Sequence, residues 1–424
     1  MPPLHIVVVG GSIAGLMSAI VLKRLGHDVT IYEQIPAALL QDRGAGMGMF
    51  AETIAFLAKY DLTHTEAGCK SSYRWWMDKE GREIARMDMP SDRTTSWDLL
   101  SAILRANFDG LSTAHVPNPP TNDEKGQYIH GVRVDRVEEK GELGGLNVYL
   151  KDEEGKESIR EADMVICADG AGGTLRKELL GGGEDAERKY AGYVAWRGTV
   201  PESKLSPKTK RLVSECVPFH HQKHNQALGY TIPGPTGSIQ PGERRMNWLW
   251  YTNIEQGSAR WEEVMTDING VLRTYTMPHG KVRPEVWRNQ VEEGRKTLPA
   301  VFAELMEKTE VPFIQAITDN FSNKVVFFEG RVLLVGDAAA GFRPHIAAST
   351  SQSAIQAMLL DSLMRRSNGV LGQAEAKQYE EKALAYANEV SKKGIQMGSL
   401  SQFGEHPMQR SSRDPVASRP SDVP

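Results

Sequence analysis

From His5 to Gln34 the chain reads HIVVVGGSIAGLMSAIVLKRLGHDVTIYEQ, and this stretch constrains the fold more than any other. An apolar run, Ile6 to Val9, meets Gly10 and Gly11. A segment of helical period follows from Ala14 to Leu25, Gly26 stops it, and a strand-like Val29 to Tyr32 ends in Glu33. Strand, turn, helix and parallel strand in that order make a dinucleotide-binding unit, in which backbone must approach a pyrophosphate closely. Gly10 makes the turn and Gly15 lets helix and strand pack. Gly11, Ser12 and Ala14 belong to the helix start, whose free N–H groups and positive dipole end face the phosphates. Glu33 is placed to accept from ribose hydroxyls. Ser12 stands where the fingerprint has its middle glycine, so the phosphates must tolerate a hydroxymethyl group or be bonded by it.

Composition narrows what surrounds this unit. A chain of 424 residues exceeds one small core and predicts either two or three domains or one large α/β protein with an inserted region. With 50 basic against 54 acidic side chains there is no basic excess to favour a nucleic-acid partner. Cys69, Cys167 and Cys216 lack paired or metal-ligand spacing, so they read as reduced, buried thiols of a cytoplasmic protein, with no metal. No run reaches the length of a membrane span, and the apolar N-terminal stretch is consumed by the fingerprint strand. RSSRDPVASRPSDVP, after Gln409, reads as a mobile tail.

After Glu33 comes PAALLQDRGAGMGM, read as a loop in which Arg43 and Gly46 either move freely or form a wall against a cofactor. A short helix from about Glu52 to Tyr60 follows, then a hairpin from Ser71 to Met89 and a helix from Trp97 to Phe108. Strands are expected near Thr113 to Val116, Tyr128 to Glu138 and Leu146 to Leu150, as a meander. Met164 to Cys167 is a buried strand ending in Asp169 and Gly170, where an acid faces either the ligand crevice or only its own turn. Alternating segments YVAWRGTV, RLVSECV, QALGYTIPG and RRMNWLWYTNI predict a largely antiparallel sheet with one covered face. Helices near Ala259 to Asp267, Pro284 to Gly294 and Leu298 to Lys308 pack around it. Arg331 to Val335 is another buried strand, with Gly336 and Asp337 at its end. Helices from about Ala348 to Arg365 and Gln373 to Lys393 complete the globule.

Three separated motifs now stand in order: the fingerprint with Glu33, a DG motif at Asp169, Gly170 and Arg176, and a GD motif at Gly336 and Asp337. Together they resemble the single-component FAD-dependent aromatic hydroxylases of the p-hydroxybenzoate hydroxylase fold. GGSIAGL, AGYVAWRG, YTIPG, MNWLWYTN, VMTDINGV and GDAAAGFRPH extend the resemblance to the branch acting on dihydroxypyridines. The resemblance implies a Rossmann-like FAD-binding domain (1–73, 94–182 and 324–398), an inserted substrate domain (74–93 and 183–323) and a flexible tail (399–424). It puts the ADP half on Ser12, Gly15 and Glu33, the flavin against Arg43 and Gly46, and the ribitol on Asp337. Pro344 shapes the turn over the ring, and a helix starting near Ala347 and Ala348 offers N–H groups to the flavin's N1 and O2 region.

Such enzymes take electrons from NADH or NADPH, add dioxygen to form a C4a-hydroperoxyflavin, and hydroxylate an electron-rich aromatic small molecule. With one fingerprint, the nicotinamide binds transiently; a homodimer is a further implication. His345 is the first candidate to orient or deprotonate the substrate, and Arg197 is a candidate to position an anionic one. The tryptophans at 196, 248 and 250 are expected mainly in the core. The sequence departs from the common pattern at Trp97, where an arginine is frequent, and at Cys167 and Gly173, where a glycine and a serine are. Ala347, Ser349 and Thr350 also replace glycines. A flavin-dependent epoxidase or oxidase, a flavin-free NAD-dependent reductase and a non-catalytic binding module remain open as alternatives.

Overall fold

The computed structural model describes residues 2–39, 45–121, 126–141, 144–183 and 186–408. Arg43 and the segment after Gln409 lie outside them. Two large sheets carry the architecture.

The first sheet has six strands, with the fingerprint strand His5–Val9 near its centre. Asp28–Glu33 pairs with it on one side and Met164–Cys167 on the other, both parallel. Val332–Leu334 adds beside Met164–Cys167 and Gln127–His130 beside Asp28–Glu33, also parallel. Val326–Phe327 closes one edge antiparallel. Strands buried on both faces need continuous apolar runs, which VVV, MVIC and VLL provide. The helices Ile13–Arg24, Trp97–Phe108 and Ser349–Arg366 join this core. Each of the three motifs follows the carboxyl end of one of three adjacent parallel strands, which is where ligands of such sheets bind.

The second sheet is mostly antiparallel and is built from Tyr73–Met77 with Glu83–Asp88, Lys189–Pro201, Cys216–Gln222, Asn225–Ile232, Arg245–Asn253, Thr276–Met277 and Phe313–Phe321. Its period of two sorts the residues. Trp196, Trp248 and Trp250 point to one face and pack with Trp261, Val286 and Phe302 of the covering helices. Tyr193, Arg197, Leu249, Tyr251, Gln226 and Tyr230 fall on the other face by the register Ala195↔Tyr251, Arg197↔Leu249 and Leu228↔Leu249. The tryptophans are therefore core, as expected.

Several local expectations are corrected. Thr113 to Val116 is a turn and no strand, with Pro117, Pro119 and Pro120 just beyond it unable to donate to a ladder. Tyr128 to Glu138 is two strands broken at Gly131, whose φ is +71°. Only the second of these joins the antiparallel meander with Leu146–Asp152 and Glu157–Ala162. Arg211 to Val213 is helical, because Ser206 caps Pro207–Val213 by accepting from the Thr209 N–H. Gly46–Met49 is a strand, paired with Arg93–Ser96. The last helix runs Gln373–Gln402, so residues 399–402 are not tail: Ser401 and Gln402 are buried. All three cysteines are free and buried, and no helix among the described residues is long and apolar enough to cross a membrane.

Candidate active site

At the fingerprint, Gly10 has φ +95°, and a Cβ there would lie 2.5 Å from the Ala168 carbonyl oxygen. A Cβ on Gly15 would lie 2.0 Å from the Gly10 oxygen. Only glycine permits either approach. The Glu33 carboxylate accepts from the Gly11 N–H at 2.9 Å and the Ile35 N–H at 2.9 Å, which fixes it at the strand end with lone pairs to spare. Helix Ile13–Arg24 has no side-chain cap at Ser12 and no acid in its first turn. Its uncapped N–H groups meet a cleft lined by Gly10, Ser12, Glu33, Asp169 and Gly173. Trp97 Nε1 donates to Ser12 Oγ at 3.1 Å, leaving the serine's own proton available to the cleft. The Tyr128 hydroxyl donates to the Gly11 carbonyl, and Arg105 lies over the Tyr128 ring.

The DG motif behaves differently from its simplest reading. Asp169 lines the cleft, but its Oδ2 accepts from the Leu175 and Arg176 N–H groups and so caps Thr174–Leu179. Burial raises its carboxyl above the ordinary range, against the pull of the Cys167 thiol and those backbone donors. Arg176 is fully buried and turned away from the cleft lining: Nε donates to the Ala338 carbonyl and Nη1 to that of Ala186. It pins the GD turn to the DG turn. Gly336, at φ +57°, brings the third motif against the first, since a Cβ there would lie 2.4 Å from that of Ala14.

Asp337 opens a second cleft of about 250 Å³. The walls around it raise its carboxyl, while Arg188 and the Ser349 hydroxyl pull the other way. Gly46, Pro344, His345, Ala347 and Ala348 line the same cleft. Gly46 donates its N–H to Asn247 Oδ1, and a Cβ there would strike the Tyr230 ring. Pro344 starts a short turn ending at Ala347, which is left-handed at φ +49°; the helix begins only at Ser349, again uncapped by any side chain. Two uncapped helix starts, one in each cleft, and glycine-walled backbone fit a long ligand with a diphosphate in its middle.

Opposite that turn stand Arg197, Phe219, Leu228, Tyr230 and Leu249. Arg197 Nη1 donates to Gln315 Oε1 at 2.9 Å, its guanidinium lies over Phe313, and its buried Nε has no partner among the described residues. Among the described residues no carboxylate lies within ion-pair distance of it. His345 has both ring nitrogens engaged, by the Tyr193 hydroxyl at 2.8 Å and Gln226 Oε1 at 2.9 Å. Burial first, then Arg343 and His406, pushes its pKa down to about 3. A group held so weakly basic is a poor general base, which favours the orienting over the proton-taking role expected of His345. Tyr193, Gln226 and Tyr230 escaped the sequence reading, although counting in twos from Arg197 reaches Tyr193.

Residues 5–52 match the family model for pyridine nucleotide-disulphide oxidoreductases, and residues 190–319 match that for FAD binding domain-like proteins. Over 394 residues the chain is 28% identical to 2,6-dihydroxypyridine 3-monooxygenase of Paenarthrobacter nicotinovorans, covering 92% of this chain and 90% of that one. The solved 2,6-dihydroxypyridine-3-hydroxylase of Arthrobacter nicotinovorans superposes with a TM-score of 0.80 at 26% identity, with both chains covered completely. The chain is an FAD-dependent monooxygenase, similar in sequence and fold to these aromatic hydroxylases. It is also 23% identical to 6-hydroxynicotinate 3-monooxygenase of Bordetella bronchiseptica, over 92% of this chain and 90% of that one. The fingerprint, DG and GD motifs thus border two clefts of a fold shared with FAD-dependent hydroxylases.

Proposed function

We propose that this hydroxylase acts on an electron-rich nitrogen heteroaromatic ring of dihydroxypyridine size, bound as a ring oxyanion between the turn at Pro344 and the sheet face that carries Arg197. The observation that carries this reading is the Arg197 guanidinium, which lines the cleft with no carboxylate within ion-pair distance among the described residues. A desolvated cation stabilises the deprotonated form of a hydroxylated ring, and that form is the better nucleophile toward an electrophilic oxygen.

The residues divide the work. Glu33, Ser12 and the first turn of Ile13–Arg24 would hold the ADP portion; Asp337 and the start of Ser349–Arg366 would hold the ribitol and ring. The six-stranded sheet serves the cofactor and the other sheet the substrate. Bound FAD supplies acceptance of a hydride from NADH or NADPH and activation of dioxygen. One oxygen atom enters the ring and the other leaves as water, with both electrons drawn from the nicotinamide. Phe219, Leu228 and Leu249 exclude water from the ring, and Arg197 fixes its orientation. His345, neutral and doubly bonded, shapes the turn and exchanges no proton.

The test is a visible spectrum of the purified protein, followed by nicotinamide oxidation with hydroxypyridines, hydroxynicotinates and simple phenols. Oxygen incorporation and hydrogen peroxide are measured in parallel. Coupled hydroxylation of a hydroxypyridine is expected. Coupled turnover only with neutral rings would overturn the oxyanion reading.

A further inference from the structure

The end of the last helix reaches the active-site turn through one side chain. Gln402 Nε2 donates to Ser401 Oγ at 3.1 Å, and Ser401 Oγ donates to Gln226 Oε1 at 2.9 Å. The same Oε1 lies 2.9 Å from His345 Nδ1. An amide oxygen can only accept, so Nδ1 carries the proton. His345 Nε2 is then the acceptor for the Tyr193 hydroxyl at 2.8 Å. The bonds run in one sense from both ends toward Gln226, and each fixes the next.

Packing holds the same group of residues. A Cβ on Gly398 of the last helix would lie 2.5 Å from Tyr193 Oη and 3.1 Å from His345 Cδ2; one on Gly394 would meet Ile346 at 3.3 Å. The His345 ring stacks on Tyr251 with centroids 4.4 Å apart. Asn253 Nδ2 donates to the Gln402 carbonyl at 2.7 Å and His224 Nδ1 lies 3.0 Å from it, tying the helix end to the sheet. Gln226 shares its sheet face with Leu228 and Tyr230, which line the cleft.

We propose that Gln226 is a positioning residue for hydroxylation: by accepting from both Ser401 and His345 it selects the Nδ1–H tautomer of His345 and locks the Pro344–Ala347 turn against the end of the last helix. This rests on the second cleft being the site of hydroxylation. The turn is then set by groups that never touch the ring.

The experiment uses the full-length, FAD-loaded enzyme labelled with 15N-histidine, with His345 assigned from the signal lost in His345→Gln. The wild type is expected to hold the proton on Nδ1. Gln226→Met should abolish that preference, while Tyr193→Phe, which removes only the donor to Nε2, should keep it. In turnover, Gln226→Met should lower product formed per nicotinamide oxidised on the order of tenfold, since small displacements of a positioned group cost that much or more. Gln226→Glu, which still accepts from both donors, should restore most of it. A wild-type His345 protonated on Nε2, or a fully coupled Gln226→Met, overturns the proposal. The tautomer is measured without substrate, so a wrong substrate reading leaves that arm intact.

Discussion

The carboxylate of Asp169 occupies the volume that a side chain at Gly173 would need: a Cβ there would lie 1.9 Å from Asp169 Cγ. On its other side, Cys167 Sγ donates to Asp169 Oδ1 at 3.1 Å. The two departures from the common DG pattern therefore meet at one carboxylate. Gly173→Ser is expected to cost about 1–3 kcal/mol by overpacking, seen as a lowered thermal midpoint and weaker FAD retention. Cys167→Gly combined with Gly173→Ser should cost less than the two single changes added, because the vacated thiol volume lets Asp169 move. Strict additivity in a double-mutant cycle would refute the pairing.

Glu33 is held by two backbone N–H groups and lines the first cleft, where the proposed reading puts the adenosine. Glu33→Ala should weaken FAD binding roughly 10- to 100-fold, the scale of a lost charge-assisted hydrogen-bond set. Titrating the apoprotein with FAD and following flavin fluorescence measures it; an unchanged dissociation constant contradicts the assignment.

Arg197→Gln keeps a side chain that can bond to Gln315 and removes the charge. KM for an ionisable hydroxypyridine should rise about 10- to 100-fold, the worth of a hydrogen bond to a charged group. Hydrogen peroxide per nicotinamide consumed should rise with it. Steady-state kinetics with oxygen and peroxide electrodes decides, and equal KM values would remove Arg197 from substrate binding.

Acid should unfold this protein early. Burial, Arg343 and His406 push His345 down to about 3, and burial pushes His406 down to about 4. The folded state then binds fewer protons than the unfolded one, whose histidines titrate near 6.5. The stability this represents is complete above pH 6.5 and is lost as pH falls toward 4 and below. Thermal midpoints measured between pH 7 and 4 should decline, and decline less steeply in His345→Gln. A parallel slope in that variant contradicts the assignment.

The parallel sheet was legible because buried apolar strands and a glycine-bounded apolar helix follow one another over a short span, and the three motifs fixed the strand ends. What stayed hidden depended on partners distant in sequence. Gly46–Met49, GMGM, has no β-branched residue and is a strand only because Arg93–Ser96 pairs with it. The helix Pro207–Val213 was signalled by Ser206 and Pro207, but an apolar alternation in RLVSECV masked it. Arg176 belongs to a motif by spacing, yet its bonds to Ala338 and Ala186 arise from tertiary packing. His345 was visible as a residue; its two partners, more than a hundred positions away, decide what it can do.

The order of strands in the six-stranded sheet has a consequence for biosynthesis. The fingerprint is made first, but its neighbour Met164–Cys167 and then Val332–Leu334 arrive far later. On the proposed assignment, a nascent chain ending before Gly336 has a place for the adenosine and no Asp337 for the ribitol. FAD capture therefore waits on the late emergence of this chain from the ribosome, and until then an apolar strand edge needs protection from other chains.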